Sequence, residues 1–309
     1  MSAYPQPGIT AEANSSAVFL TFNQRYGQDA EARILGVLRK IPELEAEYQQ
    51  AYPEAQLTIV AAIGSGYWHR ISPHAKPAEL APFPALENGD NVAPFTPVDL
   101  FFHIRSERKD LNFKLATELT GRLAESVTLV EQVNGFRYLD SRDLTGFVDG
   151  TENPEGEQRL QVAVVGDEDP DFKGGSYIHI QRYVHNMTDW NSQSLKTQEE
   201  VFGRSKVANI EYPDEEKALT AHTKRTSLKD EQGQSVEILR HSLPYGDMEH
   251  CGLLFASYCR TPGHFTLMLE SMINGDAEGH TDHLLKYTRA VTGAAFFAPS
   301  VDWLESLGS

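Results

Sequence analysis

LFFHIRSERKDLNFKLATELTGRLAESVTLVEQV, residues 100–133, reads as a strand, a helix and a second strand in one passage. Leu100-Phe101-Phe102-His103-Ile104 is an apolar, aromatic run of strand length. Leu111, Leu115, Leu119 and Leu123 then recur every four residues, which in a helix aligns them on one face. Val127 to Val133 returns to strand. Upstream, Ala17-Val18-Phe19-Leu20-Thr21-Phe22 is another β-rich run. Ala30 to Tyr48 carries Ile34, Val37, Leu38, Ile41 and Leu44 at the spacing of an amphipathic helix. Leu57 to Ile63 is a further strand, ended by Gly64-Ser65-Gly66, and the proline-rich span from Pro73 to Pro97 reads as a long connection. The first half is therefore strand, helix, strand, strand, helix, strand, which is the ferredoxin-like order.

A related order follows. Gln161 to Val165 and Ser176 to Val184 read as strands, Gln198 to Ser205 as a helix, and Gly252 to Tyr258 as a strand. Phe265 to Ile273 is an amphipathic helix after Pro262-Gly263. Element order rather than any residue-level repeat suggests two similar halves, 1–140 and 141–309.

Composition removes several classes of function. With 40% hydrophobic and 10% aromatic residues the chain has material for a sizeable core. Lys+Arg 27 against Asp+Glu 44 gives a net charge of -17, which disfavours nucleic acid or an anionic membrane as partner. No apolar run of about 18 residues occurs, so no transmembrane helix is predicted. Met1 to Ser16 lacks the basic start and apolar run of a signal peptide, and the expected location is cytoplasmic. The two cysteines, Cys251 and Cys259, fall on one side of one strand, too far apart to bridge.

The chemistry gathers in the second half. Gly146-Phe147-Val148-Asp149-Gly150-Thr151-Glu152-Asn153-Pro154 places an aspartate between two glycines, after an apolar pair and before a polar turn. An isolated Asp-Gly is ordinarily a surface turn. Here the preceding Phe147 and Val148 suggest burial, and a buried carboxylate needs a partner or a raised pKa. Taken singly, His179, His185, His241 and His250 have a structural role as their default. His222 differs in company: it follows Lys217-Ala218-Leu219-Thr220-Ala221, a good helix former, and precedes Thr223-Lys224-Arg225. Arg240 ends the apolar group Val236, Ile238, Leu239, either as the solvent end of a strand or as a cation aimed into a pocket.

The Asp149 motif, His222, and Ile238-Leu239-Arg240 ahead of Pro244-Tyr245-Gly246 together resemble the dye-decolorising peroxidase family, most closely its bacterial B-type branch. The likeness runs from the first strand near Val18 to Phe296-Phe297-Ala298-Pro299. It implies an α+β fold in which two ferredoxin-like halves form an antiparallel β-barrel with peripheral helices, the dimeric α+β barrel type. It also implies haem b (iron protoporphyrin IX) in the C-terminal half. By the resemblance His222 is the iron ligand and Asp282 accepts a hydrogen bond from its other ring nitrogen, which raises the ligand's electron-donating power. Asp149 and Arg240 match the distal catalytic pair, Asp149 carrying a proton of hydrogen peroxide and Arg240 stabilising charge on the departing oxygen. Arg204, in Gly203-Arg204-Ser205-Lys206, matches a basic segment beside a haem propionate. Ser242 stands where some B-type members carry asparagine, with a shorter reach towards a distal water or peroxide.

The implied activity is reduction of hydrogen peroxide through a ferryl intermediate, with oxidation of dyes, phenols or other small electron donors. The expected assembly is a homo-oligomer. The alternative is a haem-binding protein for haem storage, transfer or iron release, with incidental peroxidase activity. Such a carrier needs His222 but has no need of an acid and a cation over the iron.

Overall fold

The computed structural model describes residues 3–230 and 232–308. Its strands are β1 (Ser16–Gln24), β2 (Thr58–Gly64), β3 (Leu86–Asn88), β4 (Asn91–Ala93), β5 (Leu100–Ser106), β6 (Val127–Phe136), β7 (Ser176–His185), β8 (Leu239–Arg240), β9 (Leu243–Gly246), β10 (Cys251–Cys259), β11 (Thr288–Ala290) and β12 (Ala294–Ala298). The main sheet runs β6-β1-β5-β2-β12-β7-β10-β8, with β11 on β7 and β9 on β10, and its ladders are antiparallel. β3 and β4 form a separate hairpin inside the proline-rich connection.

The order is repeated. In the first half, counting the main-sheet strands alone, the fourth strand lies beside the first, then the third, then the second; β12-β7-β10-β8 has the same arrangement. The halves join where Phe296 and Phe297 of β12 sit opposite Gly64 and Ile63 of β2. The molecule is thus mixed α+β around a mostly antiparallel sheet. Closure into a barrel is not completed by hydrogen bonds, because the path stays open between β6 and β8. β8 is short, and its outer backbone groups at Arg240 are taken by the side chain of Asn153. The ends meet through side chains instead: a Cβ on Gly135 of β6 would lie 2.7 Å from Leu243 of β9.

Strand alternation builds two cores from one sheet. Val18, Leu20 and Phe22 of β1 face the helices Gln28–Arg39, Ile41–Ala51 and Lys109–Leu123, where Ile34, Leu38, Leu44 and the leucines 111, 115, 119 and 123 are buried. Ala17 and Phe19 face the other way, against Phe101, Ile178, Ile180, Leu254, Ala256, Tyr258 and Phe296. That second core draws on both halves and ties them together; each Leu, Ile or Phe buried there contributes about 1.5–3 kcal/mol. Cys251 and Cys259 both lie in β10 and are free, as their spacing predicts.

Four expectations are corrected. The helix predicted over Ala30 to Tyr48 is two helices meeting at Lys40, because Pro42 opens the second and cannot continue the first. Gln161 to Val165 is not a strand: Gln158–Ala163 is helical, anchored by Arg159 to the Pro154 carbonyl and Glu12, and only Val164-Val165 extends. A short apolar run fits either state, and tertiary contacts decide. The helix placed at Gln198 to Ser205 spans Leu195–Phe202, capped by Ser194 and stopped by Gly203 in the left-handed conformation. Lys217 to Ala221 forms turns, with the Lys217 ammonium held by Glu211 and Asp214 and the Thr220 carbonyl taken by the His283 amide. No helix among the described residues is long and apolar enough to cross a membrane.

Candidate functional site

A cavity of about 300 Å³ opens in the second half, in the size range of small-molecule sites. Asp149, Arg204, His222 and Arg240, widely separated in sequence, all line it, together with the apolar side chains Phe255, Met268, Leu269 and Met272. A smaller cavity of about 80 Å³ adjoins the same aspartate and arginine and is lined by Asn14, His103, Arg105, His241 and Ser242.

The loop carrying Asp149 is bent as its sequence predicts. Gly146 and Gly150 have φ of 89° and 80°, a region side chains disfavour. Phe147 stacks on Phe202 at 3.9 Å and packs edge-on to Trp190, and the Trp190 indole donates to the Thr145 carbonyl at 2.9 Å. The loop is therefore seated in a small aromatic core. Removal from water pushes the Asp149 carboxyl above its ordinary value; the Arg240 cation opposes that rise, and Asp143 adds to it.

His222 opens the short helix His222–Thr226. Its Nδ1 lies 2.6 Å from Asp282 Oδ2, while Asp282 Oδ1 accepts the Leu284 amide at 2.8 Å at the head of a 3-10 turn. The carboxylate is buried with both oxygens engaged, so the imidazole is held in one orientation. No hydrogen bond to His222 Nε2 is found among the described residues, which leaves that lone pair for a metal. Arg204 is buried with Nε unpartnered; its Nη2 reaches the Asn209 carbonyl at 3.3 Å and Glu152 at 3.7 Å. A buried guanidinium with spare donors fits an incoming carboxylate. The apolar lining, free imidazole nitrogen and waiting cation together match the chemistry of a haem.

Ser242, whose expected reach was to a distal water or peroxide, stands in a cavity wall with Asp149 and Arg240. It lines the smaller cavity and is absent from the larger one, and its Oγ accepts the Ala256 amide at 3.2 Å.

Two features were not legible in the sequence. Asn153 clamps Arg240: its Oδ1 accepts the Arg240 amide at 2.9 Å and its Nδ2 donates to the Arg240 carbonyl at 2.8 Å. The motif loop thereby fixes the backbone of Arg240, while Arg240 Nε keeps no partner. The proximity of Asn153 to Asp149 was the available signal. The second feature is a further histidine–carboxylate pair in the wall of the larger cavity. His185 meets Asp143 at 3.0 Å through Nε2 and Thr288 at 2.8 Å through Nδ1. Burial raises Asp143, but the bonds from His185 and Thr145 outweigh it and hold the carboxyl below its usual range.

The model of the C-terminal part of Dyp-type peroxidases matches residues 140–303, and the model of the N-terminal part matches residues 6–137. A dye-decolorizing peroxidase of Mycolicibacterium paratuberculosis is 42% identical over 303 residues, covering 97% of this chain and 85% of the relative. The crystal structure of a Dyp-type peroxidase protein from Shewanella oneidensis superposes with a TM-score of 0.96 at 46% identity, covering 100% of both chains. An arginine-to-leucine variant of DypB from Rhodococcus jostii RHA1, in complex with haem, superposes at 0.95 with 38% identity over 100% of both.

Proposed function

Because the chain belongs to the Dyp-type peroxidase family, we propose that the larger cavity holds its haem, ligated by His222 and served by Asp149 and Arg240. The protein is a haem peroxidase that consumes hydrogen peroxide and oxidises dyes and other electron donors. When bound, the haem supplies an iron that takes peroxide and holds the oxidising equivalents released when the O–O bond breaks. The rest is the work of side chains.

His222 offers Nε2, and Asp282 keeps the proton on Nδ1, making the imidazole a stronger donor. Arg204 would pair with a propionate through its unpartnered Nε. With the haem in place, Asp149 would take a proton from peroxide and return it to the departing oxygen. Arg240, its backbone locked by Asn153, offers a preorganised positive charge as that oxygen leaves. Ser242, in the smaller cavity, acts through water on Asp149 and Arg240 instead of touching the haem.

The observation that carries this reading is that His222, Asp149 and Arg240 line one cavity. A haem carrier needs the first and has no use for the pair. We further place haem b in residues 141–309, divide the halves at 140/141, and take the Gly135–Leu243 contact as support for a barrel-like closure. The protein is expected to be a cytoplasmic homo-oligomer.

Titration of haem-free protein with haem tests the site. The parent should take up one haem and give a Soret band that responds to peroxide. His222→Ala should lose stable binding or show an altered axial ligand. An unchanged Soret band and haem content in the variant would sink the assignment.

A further inference from the structure

We propose that Tyr258 is an internal electron donor, which gives one electron to the oxidised haem and its phenolic proton to His103. The inference rests on the haem-site reading above. Tyr258 lies in β10 on the face turned towards the core shared by the two halves, and is fully buried. Its hydroxyl lies 2.9 Å from Nδ1 of His103, a residue of β5 in the other half. The pair therefore bridges the halves.

His103 is 1% exposed, yet its Nε2 has no partner. The ring lines the smaller cavity, which Asp149 and Arg240 also line. Burial and the Arg105 cation hold this imidazole well below its usual pKa, so it is neutral and able to accept a proton. Burial likewise keeps the Tyr258 phenol protonated. Along the backbone, Tyr258 follows Ser257, the cross-strand partner of Arg240, and its ring lies 5.0 Å from that of His241. A short path of strand and ring contacts thus joins it to the residues of the larger cavity.

Tyr48 also donates to a base, Glu118 at 2.9 Å, but it lies in the helix-side core of the first half and lines neither cavity; two other buried phenols lack a basic partner. Tyr183 donates to the amide oxygen of Gln181, which is a poor base, and the Tyr67 hydroxyl has no partner. A phenol that loses an electron becomes a strong acid, so oxidation is easy only where a base is already hydrogen-bonded to it. In the step proposed, the Tyr258 O–H bond breaks. One electron reduces the haem by one equivalent, the proton forms an N–H bond at His103 Nδ1, and a neutral phenoxyl radical remains. His103 then releases its Nε2 proton into the smaller cavity, where Asp149 can accept it. A later donor returns one electron to the radical, and the proton path reverses. The oxidant is the peroxide-oxidised haem of the established reaction.

The test is freeze-quench electron paramagnetic resonance of haem-loaded protein mixed with one equivalent of peroxide and no donor. The parent should show a phenoxyl signal, Tyr258→Phe should lose it, and 3-fluorotyrosine at position 258 should keep it with an added fluorine splitting. His103→Leu should slow its appearance by about 10²-fold, the lower range for removing a positioned base. The fluorinated protein preserves packing, so a folding defect in Tyr258→Phe does not decide the matter. If the haem spectrum responds to peroxide but the parent shows no phenoxyl signal, or fluorination leaves the signal unsplit, the relay is overturned. If the parent's haem spectrum does not respond at all, the haem-site reading falls first and the relay with it.

Discussion

The two halves share a strand order and differ in what their outer helices do. In the first half, Leu111, Leu115, Leu119 and Leu123 of one helix are all buried in the core over the sheet. In the second, the corresponding helix Pro262–Ile273 turns Phe265, Met268, Leu269 and Met272 towards a cavity, and Ile273 stays in the core. One architecture thus serves as a solid support and as a container. The fold does not distinguish them; the side chains grafted on it do.

The contrast breaks most directly by truncation. Leu115→Ala should cost about 2–5 kcal/mol of unfolding free energy, the range for emptying a packed core site. Met268→Ala should cost clearly less in haem-free protein, because its side chain already borders open space. Equal losses in denaturant titrations would mean that the second half is as solid as the first. Next in size is the chemistry of the hollow half. Arg240→Leu should slow the reaction of the haem with peroxide by about 10²-fold in stopped-flow mixing, the scale for losing one preorganised charge. A rate equal to the parent's would return the cavity to a mere carrier.

Asp282→Asn should retain the fold and weaken haem binding by about 10-fold, as other partners of metal-bound histidines do. It should also raise the ferric/ferrous potential, because a neutral amide draws less on the His222 proton. No rise in redox titration would remove Asp282 from its role. The smallest effect expected is on stability at Asp149. Its carboxyl is raised in the folded state, so folding is favoured below the unfolded pKa of about 4, and that advantage disappears as pH rises through the folded value. Asp149→Asn should therefore raise the melting temperature slightly near neutrality and not at acidic pH. The opposite pattern would show that Arg240 outweighs burial. The same shift means that Asp149 stops acting as a base at a higher pH than a free aspartate would.

Most strands were legible because alternation and β-rich composition are local signals, as at β1, β5 and β10. The helix over 158–163 was not, since Gln-Arg-Leu-Gln-Val-Ala-Val-Val fits either state until Arg159 finds Glu12, nearly 150 residues away. Of the site, the glycines around Asp149 were readable from their backbone demands. The pairing of His222 with Asp282 entered through family resemblance, because nothing local links residues 60 positions apart. The Asp143–His185 pair depends on contacts that no spacing encodes, and Asn153 was signalled only by its place in the Asp149 motif.

The clamp on Arg240 has a consequence beyond the candidate site. An end strand of a sheet exposes a row of free amides and carbonyls on which another chain can add. At β8 those groups belong to the residue least able to tolerate such an intruder, and the amide of Asn153 occupies both, imitating a neighbouring strand with a single side chain. Asn153 thereby works as a guard against misassembly: Asn153→Ala should leave the sheet with an unsealed edge, prone to self-association during folding, even in molecules whose haem site forms.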